Sequence, residues 1–215
     1  GQGDPASRAV LTEPLIAREV LSALPDGALL WAGSSMPVRD LDNSKMRSGA
    51  IRVLSSRGSS GIDGTTSSAV GAALAHAAAG GGPAFALIGD LSFVHDASGL
   101  AIGPGEPRPD LCLAVVNNDG GGIFETLEPA AFPGPFERVF GTPHGASLEH
   151  LAAAFGVPYT LVSHPDDLAK ALHGTGLRIV EARTDRAANA RLRARMRAAA
   201  VRAAGDYNSG RAGGP

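Results

Sequence analysis

The sequence predicts an α/β fold: one doubly wound, mainly parallel sheet with helices on both faces. Three observations carry this. Short, continuously apolar runs of strand length alternate along the chain with stretches of helical periodicity. No repeat and no internal linker divides the 215 residues. Hydrophobic residues make up 44%, enough to bury a sizeable core.

The elements follow in order. Thr12 is placed to cap a first helix with Pro14 in its first turn. Ile16, Val20 and Leu24 then form one apolar stripe. ALLWAG (28–33) is a buried strand and IRVLSS (51–56) a second. The Ala-rich stretch 65–80 is helical. AFALIGD (84–90) and LCLAVVNN (111–118) are the third and fourth strands. SLEHLAAAFG (147–156) is a helix closed by Gly156. YTLV, HPDDLAKALHG and LRIVEAR continue the alternation, and a last helix covers 185–204. Residues 11–204 form the domain. Residues 1–10 read as a linker or truncated start, since the chain opens GQGDPAS without Met, and the Gly-rich 205–215 as a disordered tail.

Composition removes several classes of function. A formal net charge of −2 offers no basic field for nucleic acid. The lone Cys112 excludes an internal disulfide framework and a Cys-rich metal site, and its apolar surroundings read as a buried, inert thiol. No apolar stretch reaches the roughly 20 residues of a membrane span, and the start has no signal-peptide pattern. The expectation is a cytoplasmic protein. The basic last helix, with Arg186, Arg191, Arg193, Arg195, Arg197 and Arg202, reads as a solvated face.

Doubly wound sheets bind ligands beyond the carboxyl ends of their strands. The third strand ends in Gly89-Asp90-Leu91-Ser92 and the fourth in Asn117-Asn118-Asp119-Gly120-Gly121-Gly122. If these strands are neighbours, Asp90 and Asn118 share a crevice. A carboxylate, an amide oxygen and a loop carbonyl are hard ligands suited to Mg²⁺, which takes its other ligands from phosphate and water. Glycines let backbone approach a phosphate, and a helix beginning near Ser92 would aim N–H groups at it.

This pattern, GD-x-S followed after roughly thirty residues by NN, resembles the signature of the thiamine-diphosphate (ThDP) enzymes, usually written GDG…NN. The resemblance implies metal ligation by Asp90, Asn118 and the Gly120 carbonyl, and cofactor contacts from Gly89, Asp90, Leu91, Ser92, Asn118, Gly120 and Gly121. Mn²⁺ would substitute for Mg²⁺. One position departs: Leu91 stands where many members have Gly. Longer matches, GSSMPVRD (33–40), SSRGSSGIDG (55–64), GDLSFVHDASGL (89–100) and VVNNDGGGIFETLE (115–128), resemble the menaquinone-pathway branch, the 2-succinyl-5-enolpyruvyl-6-hydroxy-3-cyclohexene-1-carboxylate synthases. That resemblance covers roughly residues 10–185.

In that branch, Ser35, Arg39 and Arg57 match residues that contact substrate carboxylates, which suits a guanidinium fork that stays charged. Ile62 matches the residue that props the cofactor in its bent form. Ile123 and Phe124 match apolar lining. The implied reaction is decarboxylation of 2-oxoglutarate and addition of the resulting acyl-anion equivalent to isochorismate, by a homodimer or larger homo-oligomer. The glutamate that activates the cofactor matches nothing here and is expected outside this chain, so the chain reads as an inactive fragment of a longer polypeptide. His95 is the one histidine beside the predicted site; the other five read as surface or capping groups. Asp63 fits a turn before Gly64 equally well. Two alternatives stay open: the diphosphate-binding subunit of a two-subunit ThDP decarboxylase, and a non-catalytic α/β domain that binds a nucleotide or effector. No G-x-G-x-x-G follows the first strand, which disfavours a dinucleotide fold.

Overall fold

The structure, a computed structural model, describes residues 10–45, 49–56 and 58–212, with side chains as far as 205. Helix α1 (Glu13–Ala23) leads into strand β1 (Leu29–Ala32), helix α2 (Met36–Asp42) and strand β2 (Arg52–Leu54). Helix α3 (Thr65–Ala78), strand β3 (Ala84–Gly89) and helix α4 (Asp90–His95) follow, then strand β4 (Leu111–Asn117). After short 3-10 turns come α5 (Pro133–Phe136), a π turn, α6 (Leu148–Ala154), β5 (Tyr159–Val162), α7 (Pro165–Leu172), β6 (Arg178–Arg183) and the long α8 (Arg186–Ala212).

All five strand pairings are parallel, in the order β2-β1-β3-β4-β6-β5. The central strands β3 and β4 are buried at every position but their last, because helices cover both faces. Alternate residues feed two cores. Leu30, Phe85, Leu87, Cys112, Ala114 and Val180 meet α1 and α7. Leu29, Ala86, Ile88, Leu113, Val115 and Ile179 meet α3 and α6. The expected fold class is the observed one. Burial pushes the Cys112 thiol up to about 11, the inert character expected of it. Among the described residues no helix is long and apolar enough to cross a membrane.

Three expectations are corrected. The second strand is no buried element: β2 is a three-residue edge strand exposed at every position, because only β1 pairs with it. Thr12 occupies the cap position of α1 but its side chain makes no capping bond; the Glu13 N–H donates instead to Asn189 Oδ1 of α8, at 3.0 Å. The last helix continues to Ala212, beyond its expected end at 204.

Helix α8 is also less solvated than its composition implies. Arg193 turns inward and donates to Glu13 Oε2 at 2.7 Å and to Asp40 Oδ2 at 2.5 Å, both carboxylates being buried. Arg186 turns inward to Glu137 at 2.8 Å. Two of the six arginines are therefore docking groups.

Burial pushes Asp40 up to about 6, overriding the Arg193 guanidinium that opposes it. The sign for stability follows. Between the ordinary carboxylate range and about 6 the folded protein holds a proton that the unfolded chain has released, so this group's contribution is lost as pH rises through that window. Thermal denaturation of wild type and Asp40→Asn across pH 4 to 8 checks this. The Tm difference is expected to move in the variant's favour from about pH 4 to pH 7 and then level off. A difference independent of pH would contradict it.

Candidate active site

The chain order reverses between β1 and β3: β2 lies on one side of β1, and every later strand lies beyond β3. A crevice opens at such a switch point, outside the carboxyl ends of the strands. Here it is a cavity of about 440 Å³. Its walls come from the segments after β1 (Ser34 to Pro37, Arg39), after β3 (Gly89 to Ser92) and after β4 (Asn118, Gly120 to Phe124). Every site residue named from the sequence lines it except Arg57, which lies outside the described residues.

Asp90 is 2% exposed and is the first residue of α4, so the helix starts two residues earlier than expected. Its Oδ1 accepts from Leu91 N at 2.7 Å, and its Oδ2 from Asn118 N at 3.2 Å and Gly120 N at 3.0 Å. Burial nevertheless raises its pKa, against the Gly120 and Leu91 N–H groups and His144. A buried carboxylate that remains raised despite three backbone donors is under-compensated by the groups around it. Leu91 sits within helical backbone with no positive φ, so the leucine in place of glycine fits without strain.

The two asparagines divide the work. Asn117 builds the loop. Its Nδ2 donates to the fully buried Glu181 at 3.0 Å, and its Oδ1 accepts from Asp119 N at 3.0 Å. Glu181 also accepts from the Tyr159 hydroxyl at 2.7 Å, and burial followed by this bond raises the Tyr159 pKa. Asn118 faces the cavity. Its Nδ2 donates to Glu13 Oε1 at 2.7 Å, while its Oδ1 is buried and without a partner. An orphaned buried amide oxygen costs on the order of 1–3 kcal/mol unless something meets it. An amide oxygen beside a carboxylate is a donor pair of the type hard cations take. The Gly120 carbonyl accepts from Gly122 N at 3.0 Å and retains a second lone pair. Among the described residues no cluster of three His, Cys, Asp or Glu is placed to hold a metal.

Gly120 and Gly121 are required by close approach. Gly120 has φ +141°, and a Cβ there would lie 2.0 Å from the Gly141 carbonyl oxygen; one on Gly121 would lie 2.2 Å from that of Phe140. This approach brings up a segment the sequence reading left unassigned. Asp119, at φ 56°, accepts from His144 N and Gly145 N, both at 3.0 Å. Those contacts, the Gly145 N–H foremost, lower its pKa. They deliver His144, whose Nε2 stands 3.4 Å from Asp90 Oδ2. Because His144 Nδ1 accepts from Ala146 N at 2.9 Å, the neutral ring carries its proton on Nε2, toward Asp90.

Ser35 holds a backbone conformation rare for a non-glycine residue, φ 71° and ψ −128°, and its carbonyl accepts from Arg39 at 2.6 Å. Arg39 is exposed at the cavity rim, adjoining a second, polar depression lined by Ser55, Ser56 and Ser60. Ile62, Ile123 and Phe124 supply apolar wall. His95 is exposed on α4 and lies outside the cavity lining, as does the exposed Asp63. Glu13 and His144 were missed. Glu13 carries a signal that could have found it: it precedes Ile16 by three residues, which puts an acid on the apolar stripe of α1. His144 carries none.

The family described as thiamine pyrophosphate enzyme, C-terminal TPP binding domain, matches residues 44–177. Two curated relatives are named 2-succinyl-5-enolpyruvyl-6-hydroxy-3-cyclohexene-1-carboxylate synthase. The protein of Thermobifida fusca (strain YX) is 60% identical over 195 residues, covering 89% of this chain and 35% of that protein. That of Saccharopolyspora erythraea is 51% identical over 177 residues, covering 81% and 31%. The chain thus spans about a third of the length of the relatives it matches. Benzoylformate decarboxylase from Polynucleobacter necessarius shares the fold, with a TM-score of 0.65 at 18% identity over 86% of this chain and 35% of that one. With the profile covering more than half of its residues, this chain belongs to the thiamine pyrophosphate enzymes, as their C-terminal TPP-binding domain.

Proposed function

We propose that this chain is the cofactor-holding domain of a ThDP- and Mg²⁺-dependent carboligase of menaquinone biosynthesis. Its substrates are 2-oxoglutarate and isochorismate. One observation carries the metal assignment: the partnerless, buried Asn118 Oδ1 in the same cavity as the under-compensated Asp90. The choice of substrates rests on the motif resemblance to the menaquinone-pathway branch, and the relatives' printed names support that branch.

On this reading Asp90, Asn118 Oδ1 and the Gly120 carbonyl would hold Mg²⁺, and Gly89, Leu91, Ser92 and Gly121 would contact the cofactor. ThDP, when bound, supplies the carbanion chemistry by which a 2-oxo acid loses CO₂. The protein's tasks are positional. His144 stands with Nε2 3.4 Å from Asp90 Oδ2, the oxygen that also accepts from Asn118 N and Gly120 N. Ile62, Ile123 and Phe124 keep water from the reacting face. Ser35 and Arg39 at the rim bind substrate carboxylates, a role that Arg57 shares by its match to the family motif alone; a guanidinium fork meets a carboxylate bidentately. The activating carboxylate comes from outside this chain. Turnover therefore belongs to a longer, homo-oligomeric cytoplasmic protein.

Three outcomes test this. Asp90→Ala is expected to abolish Mg²⁺-dependent ThDP binding in calorimetry; unchanged affinity would remove the metal assignment. Arg39→Ala is expected to lower kcat/KM by roughly tenfold or more, the loss of one charge-assisted contact of about 1.5–3 kcal/mol, with ThDP affinity intact. Wild-type kinetics would remove the carboxylate clamp. Loss of isochorismate with 2-oxoglutarate, ThDP and Mg²⁺ is expected from the longer polypeptide and not from this chain alone. If neither turns over while ThDP binds, the substrate is another 2-oxo acid, and the decarboxylase reading takes precedence.

A further inference from the structure

Glu13 is a buried acid with no place in the reaction just described. It is 3% exposed, in the first turn of α1, and it lines the same cavity as Asp90. Its two carboxylate oxygens have different partners. Oε2 accepts from Arg193 of α8 at 2.7 Å. Oε1 accepts from Asn118 Nδ2 at 2.7 Å and, more distantly, from the Thr184 hydroxyl at 3.3 Å. Its own backbone N–H is held by Asn189, also of α8. Four residues from three parts of the chain therefore fix where this carboxylate sits.

The consequence lies in the asymmetry of the two groups. A carboxylate paired with a guanidinium accepts hydrogen bonds and donates none, whereas a carboxamide has a donor branch and an acceptor branch. Facing Glu13, Asn118 must present its NH₂. Rotated by half a turn it would set two acceptors against each other and lose a charge-assisted bond. The amide oxygen is thereby committed to the other branch, the one that stands buried and partnerless in the cavity wall.

We propose that Glu13 is a positioning residue for the metal site. It holds the Asn118 carboxamide with its oxygen toward the cation, and α8 sets that geometry by clamping Glu13 through Arg193 and Asn189. The inference rests on the reading of Asp90, Asn118 and Gly120 as the metal ligands. It adds that one ligand is oriented from behind by an acid donated by α1 and anchored by the last helix.

Mn²⁺ affinity in the presence of ThDP, read from the free-ion EPR signal of the full chain, tests it without reference to turnover. Glu13→Leu is expected to raise the Mn²⁺ Kd at least tenfold. Glu13→Gln, whose amide can either accept from or donate to Asn118, is expected to raise it by a smaller factor of about two to ten, and it carries the test if the leucine variant does not fold. Leu168→Ala removes a fully buried core side chain that does not line the cavity. It should lower Tm, yet leave the Mn²⁺ Kd within twofold, which separates orientation from general loss of stability. Glu13 variants that bind Mn²⁺ as wild type does, or a Leu168→Ala variant that loses Mn²⁺ equally, would overturn the proposal. A wild-type chain that takes up no Mn²⁺ would instead overturn the metal reading beneath it, and this inference with it.

Discussion

The pairing of β3 with β4, in parallel and with Gly89 opposite Val116, is the constraint on which the site depends. It ends both strands at one level, so that Asp90 and Asn118 emerge side by side. It also lets one carboxylate oxygen of Asp90 collect the N–H groups of Asn118 and Gly120. Nothing local could achieve this. The two residues are brought together by six rungs of a buried ladder whose side chains fill both cores. A parallel ladder of this kind needs covering helices, and the cover on one face is α1, which carries Glu13 to the back of Asn118.

Charge is concentrated where the chain can least dissipate it. Asp90, Glu13 and Asp40 are each at most 5% exposed, and Arg193 serves two of the three. Burying ions costs more than their pairing returns unless hydrogen bonds complete the set. The raised pKa values of Asp90 and Asp40 are the visible residue of that imbalance. For Asp40 the imbalance is a matter of stability alone. For Asp90 it sits in a cavity beside an unmatched amide oxygen, and this pairing is what the proposed metal site rests on. Fold and site are in this sense one electrostatic arrangement: α8 docks by neutralising Glu13, and Glu13 orients Asn118.

Much of this was legible before any coordinates. The apolar runs at 84–90 and 111–118 placed β3 and β4 to within a residue or two, because buried parallel strands leave no polar face to confuse the pattern. Asp90, Asn118, Gly120 and their apolar neighbours were legible as a set because their motif has a fixed spacing. The stretch 51–56 misled because apolar residues at an edge strand look the same as those in a centre. Thr12 misled because capping chemistry is local while the bond actually made, from Glu13 to Asn189, spans nearly the whole chain. Arg193 was unreadable for the same reason: among its arginine neighbours in α8, only the docking of the helix selects which one turns inward. The 122–141 stretch has no period, since it consists of 3-10 turns, the four-residue α5 and a π turn, and the path that brings His144 to Asp90 went unseen with it.

The central claim is that a cation meets Asn118 Oδ1 and Asp90 in this cavity. The most direct measurement is anomalous diffraction from crystals of the protein grown with Mn²⁺ and ThDP. The account predicts one strong anomalous peak within coordination distance of Asp90, Asn118 Oδ1 and the Gly120 carbonyl, with the Asn118 nitrogen still on Glu13. A peak elsewhere, or ThDP bound in the cavity while Asn118 turns its nitrogen toward the diphosphate, would contradict it.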